Sequence, residues 1–245
     1  MKFKFLGSGD AFGSGGRFNT CFYIARETGG LLIDCGASSL VAMGHFGVDP
    51  NSIDTVIISH GHGDHFGGLA FLLRGLRLVY QRERLLTIVG PVGIAKRIDD
   101  SLEAAFPGAV AHGTKFPVRI VELEAGIATR LDDGLSVTAF EAVHPSGTPT
   151  LSLRVTCDGR VIGYTGDTEW TDALVDVGRD ADLFVCECFW VNPRHRYHLD
   201  LQTLRAKMPR ISAKQVVLTH MSEEMLRIAG DIPETTAFDG MEIEL

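Results

Sequence analysis

Apolar positions recur along this chain in two rhythms. Short runs that alternate or cluster between glycines and polar turns predict strands at 2–7, 19–26, 31–34, 54–59, 85–89, 118–124, 135–143, 150–157, 160–165, 182–187, 215–219 and 240–244. The first three suit an antiparallel opening. Apolar residues at helical spacing predict helices over 37–46 and 67–80, the latter through Leu69, Leu72, Leu73 and Leu76. A further helix is expected from Gly90-Pro91, with proline in its first turn, to about Phe106, where Pro107-Gly108 stops it. Helices at 171–177, 200–208 and 222–228 complete the pattern, the last opened by Ser222 with Glu223 and Glu224 behind it.

Two strand-rich halves, each with flanking helices, predict an α/β chain built as a four-layer αβ/βα sandwich. No Pro/Ser-rich linker, low-complexity tract or sequence repeat divides the 245 residues, so one domain over 1–245 is expected, large enough to bury a substantial core. The start, Met1-Lys2-Phe3-Lys4-Phe5-Leu6, alternates like a strand and lacks the continuous apolar run of a secretory signal. No apolar run approaches the roughly 20 residues that span a bilayer. Five cysteines, Cys21, Cys35, Cys157, Cys186 and Cys188, include no C-x-x-C pair, which suits free thiols in a reducing compartment. A cytoplasmic protein without membrane contact is expected. Cys186 and Cys188 fall on one face of a strand and read as core. A formal charge of −8 argues against a stable nucleic-acid complex, because phosphate contacts need clustered cations.

Chemistry concentrates in His60-Gly61-His62-Gly63-Asp64-His65, directly after the strand ending at Ser59. In extended backbone His60 and His62 point the same way, and Gly61 and Gly63 are expected to bend the chain so that Asp64 and His65 return to the same point. Neutral imidazoles with a carboxylate suit zinc and similar ions. His144, Asp167 in Gly166-Asp167-Thr168, and His220 each lie just past a predicted strand. Singly they read as caps or core histidines; together they form a second donor set.

The pattern His-X-His-X-Asp-His, a distant His, Gly-Asp-Thr and a late His resembles the metallo-β-lactamase-fold hydrolases over nearly the whole chain. Phe5-Leu6-Gly7-Ser8-Gly9-Asp10-Ala11, Arg17-Phe18-Asn19-Thr20 and Leu31-Leu32-Ile33-Asp34-Cys35-Gly36 are similar to the ribonuclease Z-like branch, whose best-known member trims the 3′ end of precursor tRNA. The resemblance implies two divalent ions, zinc first, with manganese or iron compatible with the same donors. His60, His62 and His144 would hold one ion; Asp64, His65 and His220 would hold the other; Asp167 would bridge. Two ions about 3.5–4 Å apart share a bridging hydroxide as nucleophile. His198 stands where the family has its proton donor and Glu187 where a glutamate supports it, so Asp64, His198 and Glu187 are the expected catalytic residues. Here the sequence departs: the tRNA-processing members carry His before this glutamate and Ala-Thr after it, whereas this chain has Cys186 and Cys188-Phe189. A homodimer is implied by the family alone.

A phosphodiesterase for small anionic substrates leads this reading. A hydrolase of lactones, thioesters or other carboxylic esters on the same ligands is the rival, since it can dispense with a donor at His198. A degenerate metal-binding subunit ranks last, because all seven ligand positions are filled. Among the remaining residues, Ser8, Asp10 and Asn19 are expected in turns near the metals, with Asp10 orienting a ligand imidazole. Arg74, Arg77, Arg82 and Arg84 read as a solvated cationic face. Arg194 and His195 share the loop of His198 and read equally as phosphate contacts or as a solvated loop, and His45 and His112 read as structural.

Overall fold

The computed structural model describes residues 1–194 and 196–245, so the reading of His195 as a phosphate contact lies outside the described residues. The chain opens with β1 (Lys2–Gly7), β2 (Cys21–Ile24) and β3 (Gly30–Ile33), then α1 (Ser39–His45), β4 (Ile53–Ile57), the single helical turn α2 (Gly63–Phe66) and α3 (Gly68–Leu78). There follow β5 (Leu86–Pro91), α4 (Ile94–Ala105), the short α5 (Ala109–His112) and β6 (Val118–Leu123). The second half runs β7 (Ala128–Arg130), β8 (Leu135–Glu141), β9 (Leu151–Cys157), β10 (Arg160–Tyr164), α6 (Ala173–Gly178), β11 (Leu183–Glu187), α7 (Leu201–Lys207), β12 (Val216–Thr219), α8 (Glu223–Ile228) and β13 (Glu242–Glu244).

These strands form two sheets, ordered β13-β1-β2-β3-β4-β5-β6 and β12-β11-β10-β9-β8-β7. Each starts antiparallel and turns parallel: β1 to β3 are antiparallel and β3 to β6 parallel, while β7 to β10 are antiparallel and β10 to β12 parallel. The sheets face each other across one apolar layer. Phe3, Phe5, Phe22 and Ile33 from the first meet Leu153, Val155, Ile162 and Tyr164 from the second. The outer face of the first sheet packs on α1, α3 and α4 through Leu32, Val56, Ile88, Leu69, Leu72 and Ile98. The outer face of the second packs on α6, α7 and α8 through Leu174, Phe184, Cys186, Leu204 and Met225. This is the four-layer αβ/βα sandwich. Among the described residues no helix is long and apolar enough to cross a membrane.

Several local expectations change. Pro91 does not open a helix: it ends β5 opposite Leu123, and α4 starts only after Gly93, whose φ of 90° makes the turn. Strand β7 was not expected, because three residues, Ala128-Thr129-Arg130, are too few to show a period. Between α4 and β6, residues 107–116 contain the short helix α5. The cationic run is not one solvated face. The Arg82 guanidinium is buried and donates to Asp54 and to the carbonyls of Asn51, Arg84 and Leu85, and Arg77 donates to the carbonyls of His112 and Gly113. Carbonyls at loop ends need donors, and long arginine stems reach them.

The central layer rests on aromatic contacts. Phe22 is fully buried, with its ring centroid 5.0 Å from Phe5, 5.5 Å from Phe3 and 5.2 Å from Tyr164. Truncation leaves a cavity between rigid sheets. Phe22→Ala is expected to cost about 3–5 kcal/mol of unfolding free energy in denaturant titration. A loss below about 1 kcal/mol would show that the cluster collapses around the gap.

Candidate metal centre

Five of the candidate groups sit where a strand gives out, on the edge at which both sheets end. His60 follows β4 through Ser59. His144 follows β8, Asp167 follows β10, and His220 follows β12; Glu187 is the last residue of β11. His62, Asp64 and His65 share α2, with His62 at its N-cap. The bend that returns Asp64 and His65 to the site is therefore a helical turn. Gly61 and Gly63 do not supply it, since neither takes a left-handed φ. The demanding glycines lie elsewhere. A Cβ on Gly36 would stand 2.2 Å from the Asp64 carbonyl, and Gly166 turns at φ 57° to present Asp167.

Two donor groups converge. One is His60, His62, His144 and Asp167; the other is Asp64, His65, Asp167 and His220, with the donor atoms in each group within 4.8 Å of one another. Asp167 belongs to both. His62 Nδ1 and His144 Nε2 lie 3.0 Å apart, His65 Nε2 is 3.2 Å from Asp64 Oδ2 and 3.3 Å from Asp167 Oδ1, and His220 Nε2 is 3.1 Å from Asp64 Oδ2. His60 Nε2, His65 Nε2 and Asp167 Oδ1 are buried and, among the described residues, have no hydrogen-bond partner of good geometry. Buried polar atoms are rarely left so without cause. Their convergence on one point fits divalent cations.

The outer nitrogens of His60, His65 and His144 are spoken for, which fixes which nitrogen of each faces inward. His65 Nδ1 donates to Asp34 Oδ2 at 2.7 Å. Ser59 Oγ donates to the same oxygen at 2.8 Å and lies 3.0 Å from His60 Nδ1, from which it accepts. His144 Nδ1 donates to the Tyr197 carbonyl at 2.8 Å. Tyr164 Oη also donates to Asp34, at 2.9 Å, and the Ser59 amide does so at 2.7 Å. Asp34 is thus the carboxylate behind both donor groups.

This corrects the expectation for Asp10. Its carboxylate accepts from the amides of Phe12 and Ser14 and from the Ser14 hydroxyl, closing its own loop, and makes no bond to a ligand imidazole. Ser8 and Asn19 do serve turns: the Ser8 carbonyl accepts from the His220 amide, and Asn19 ties Asp10 to Ser38. Asp34 stood in a quoted motif, and its position just past a strand was the signal that singled out the ligands. Arg97 was missed too: from α4 it donates to the Gly61 carbonyl at 2.8 Å, and nothing in its local sequence announces this. Arg194 is paired with Glu224, while His45 packs against Phe18 and Phe46.

The charges divide along the same line. Burial holds His60 well below the usual imidazole range, lowers His62, and pushes His144 down to about 4, so all three are neutral donors at neutral pH. Burial also opposes protonation of His65 and His220, but Asp167 and Asp64 outweigh it, holding His65 well above its ordinary value and raising His220 to about 9. Without cations, protons supply the positive charge that the carboxylates demand. Cation binding there must release them.

Beside this centre His198 Nδ1 donates to Glu187 Oε2 at 2.9 Å. Burial disfavours the imidazolium, yet the Glu187 charge and hydrogen bond prevail and raise the His198 pKa. Glu187 is itself fixed by the Thr168 amide on its other oxygen. The expected acid–histidine pair is therefore assembled, next to Asp167 and His220.

Residues 1–239 match the family described as Anti-Pycsar protein Apyc1. The chain belongs to this family. Ribonuclease Z of Geobacillus kaustophilus is 26% identical over 279 aligned positions, covering 91% of this chain and 88% of that protein. Among solved structures, the short form of human tRNase Z superposes with a TM-score of 0.81 at 25% identity, covering 100% of this chain and 99% of its own. YhfI from Bacillus subtilis, a metallo-β-lactamase fold protein, gives 0.76 at 20% identity with 99% of both chains covered. This Apyc1-family chain is thus a ribonuclease Z-like, metal-dependent hydrolase with the metallo-β-lactamase fold.

The role of the Asp34 carboxylate is open to a direct test. Asp34→Asn keeps the shape but loses the charge that orients His65 and, through Ser59, His60. Chelator competition is expected to show metal affinity lowered about 10–100-fold with the fold intact by circular dichroism. Unchanged affinity would mean that the rings are held without that carboxylate.

Proposed function

We propose that this Apyc1-family chain is a dinuclear metal phosphodiesterase, zinc-dependent in the first instance, that hydrolyses small anionic phosphodiesters such as cyclic nucleotides or short oligonucleotides. The observation that carries this reading is the adjacency of two donor groups sharing Asp167 with the His198–Glu187 pair. When bound, the divalent ions supply Lewis acidity and hydroxide at neutral pH. The chain's own residues do the rest. Asp167 offers one carboxylate to both groups, and Asp34, Ser59 and the Tyr197 carbonyl keep the ring nitrogens turned inward. His198, held at Nδ1 by Glu187, has Nε2 free to give a proton to the departing alkoxide, while Glu187 stabilises the imidazolium before the transfer. A poor alkoxide leaving group needs that proton. In carbonyl chemistry a metal-polarised acyl oxygen would carry more of the barrier, so the pair favours diester cleavage.

Substrate size follows from residues 107–116. The tRNA-processing members are expected to carry a long basic arm here. In this chain the segment folds back as α5, is tied to α3 by Arg77, and holds one lysine, Lys115. With a net charge of −8, few cations remain to grip a polynucleotide backbone away from the centre.

Elemental analysis of metal-replete protein is expected to find two transition-metal ions per chain, and Asp167→Ala to lose both. A wild-type value that never exceeds one sinks the dinuclear reading. On a panel of cyclic mononucleotides, dinucleotides, precursor tRNA, lactones and thioesters, the small diesters are expected to be turned over fastest. Efficient tRNA 3′ trimming at physiological salt would refute the size argument, and faster lactone or thioester hydrolysis would move the chain to carbonyl chemistry.

A further inference from the structure

The two residues after Glu187 depart from the tRNA-processing pattern, and the second of them, Phe189, lies against the acid. Its ring is stacked on the His198 imidazole, with centroids 4.8 Å apart and planes 28° from parallel. Its other neighbours are Trp190 at 4.7 Å, edge-on, and His220 at 5.8 Å. The phenylalanine is 7% exposed. Its backbone is tied on both sides: the Phe189 amide donates to the Leu199 carbonyl at 3.0 Å, and the Phe189 carbonyl accepts from the Ser222 amide and hydroxyl. Leu199 follows His198 directly, and Ser222 lies two residues past His220.

A single hydrogen bond to Glu187 fixes Nδ1 but leaves the imidazole free to swing about that contact. The flat face of Phe189 removes this freedom from one side, and the His144 ring meets His198 edge-on, 4.8 Å away at 70°, on another. Water is excluded where the aromatic face covers the ring. We propose that Phe189 is a positioning residue that holds His198 in the orientation from which it protonates the leaving oxygen. The inference rests on the reading of His198 as general acid. No residue small enough to leave the ring uncovered can do this, so the aromatic ring is what the position supplies.

The test is a double-mutant cycle on the metal-loaded protein, with a diester of a poor alkoxide leaving group and one of nitrophenolate. His198→Ala is expected to lose about 10²–10⁴-fold in kcat on the poor leaving group and far less on nitrophenolate. Phe189→Ala should lose about 10–100-fold on the poor leaving group, with two ions retained and nitrophenolate turnover little changed. In the His198→Ala background the Phe189 substitution should cost nothing further. Phe189→Leu, which keeps apolar bulk without a flat face, guards against misfolding and is expected to fall between Phe189→Ala and wild type. Should His198→Ala itself treat both substrates alike, the acid reading fails and this inference with it. Should His198→Ala discriminate while Phe189→Ala hits both substrates equally, adds its full loss to the double variant, or sheds metal, Phe189 acts on the fold or on His220 and the inference is wrong.

Discussion

A carboxylate sealed away from water must have its charge met by protein donors, and the Asp34 side chain meets that demand in a way that sets the whole centre. It accepts from the Ser59 amide and hydroxyl, from Tyr164 and from His65. Ser59 and Tyr164 stand at strand ends, one from each sheet, and His65 sits on α2. Tyr164 reaches Asp34 across the layer that also holds Phe22. Packing of the two sheets therefore decides whether the carboxylate is satisfied, and the carboxylate decides which nitrogens of His60 and His65 face inward. Each link depends on the one before it: sheet register, Asp34, ring tautomer, donor geometry.

Such a centre carries a cost in backbone strain. Asp34, Tyr197 and His220 adopt left-handed φ values of 59°, 79° and 54°. For residues with a side chain this conformation costs on the order of 1–3 kcal/mol each. Each position uses it to serve two directions at once. Asp34 leaves β3 and turns its carboxylate back under the site. Tyr197 presents its carbonyl to His144 while the next residue, His198, reaches Glu187. At His220 the amide bonds the Ser8 carbonyl as the ring meets Asp64. Despite burial, His65 and His220 hold the Asp64 and Asp167 carboxyls well below the usual carboxylate range, so cations bound there would take over a charge balance that the two imidazoles otherwise supply.

Much of this was legible in the sequence because the information was local. A six-residue histidine loop behind a β-branched run declares both its strand and its chemistry, and α3 showed its period in four leucines. His144, Asp167 and His220 were readable because each repeats the same placement past a strand. What the sequence hid was pairing between distant residues. Asp10 and Asp34 look equally suited to orienting an imidazole; only the fold shows Asp10 turned into its own loop. Arg82 and Arg84 look alike, yet one guanidinium is buried among carbonyls and the other is largely exposed. Pro91 could open a helix or close a strand, and its pairing with Leu123, thirty-two residues on, decides the matter. Phe189 was visible as a departure, but its stacking partner lies across a loop.

A chain with net charge −8 would repel an anionic substrate at long range, but the relevant potential is local. On the proposed function, divalent ions bound at the centre would concentrate positive charge where one phosphate sits, and a small diester needs no more than that. A polynucleotide carries phosphates beyond the screening length of about 8–10 Å, and residues 107–116 hold one lysine with which to meet them. The proposed preference for small diesters then has one electrostatic cause: the first phosphate gains from the ions and the others gain little.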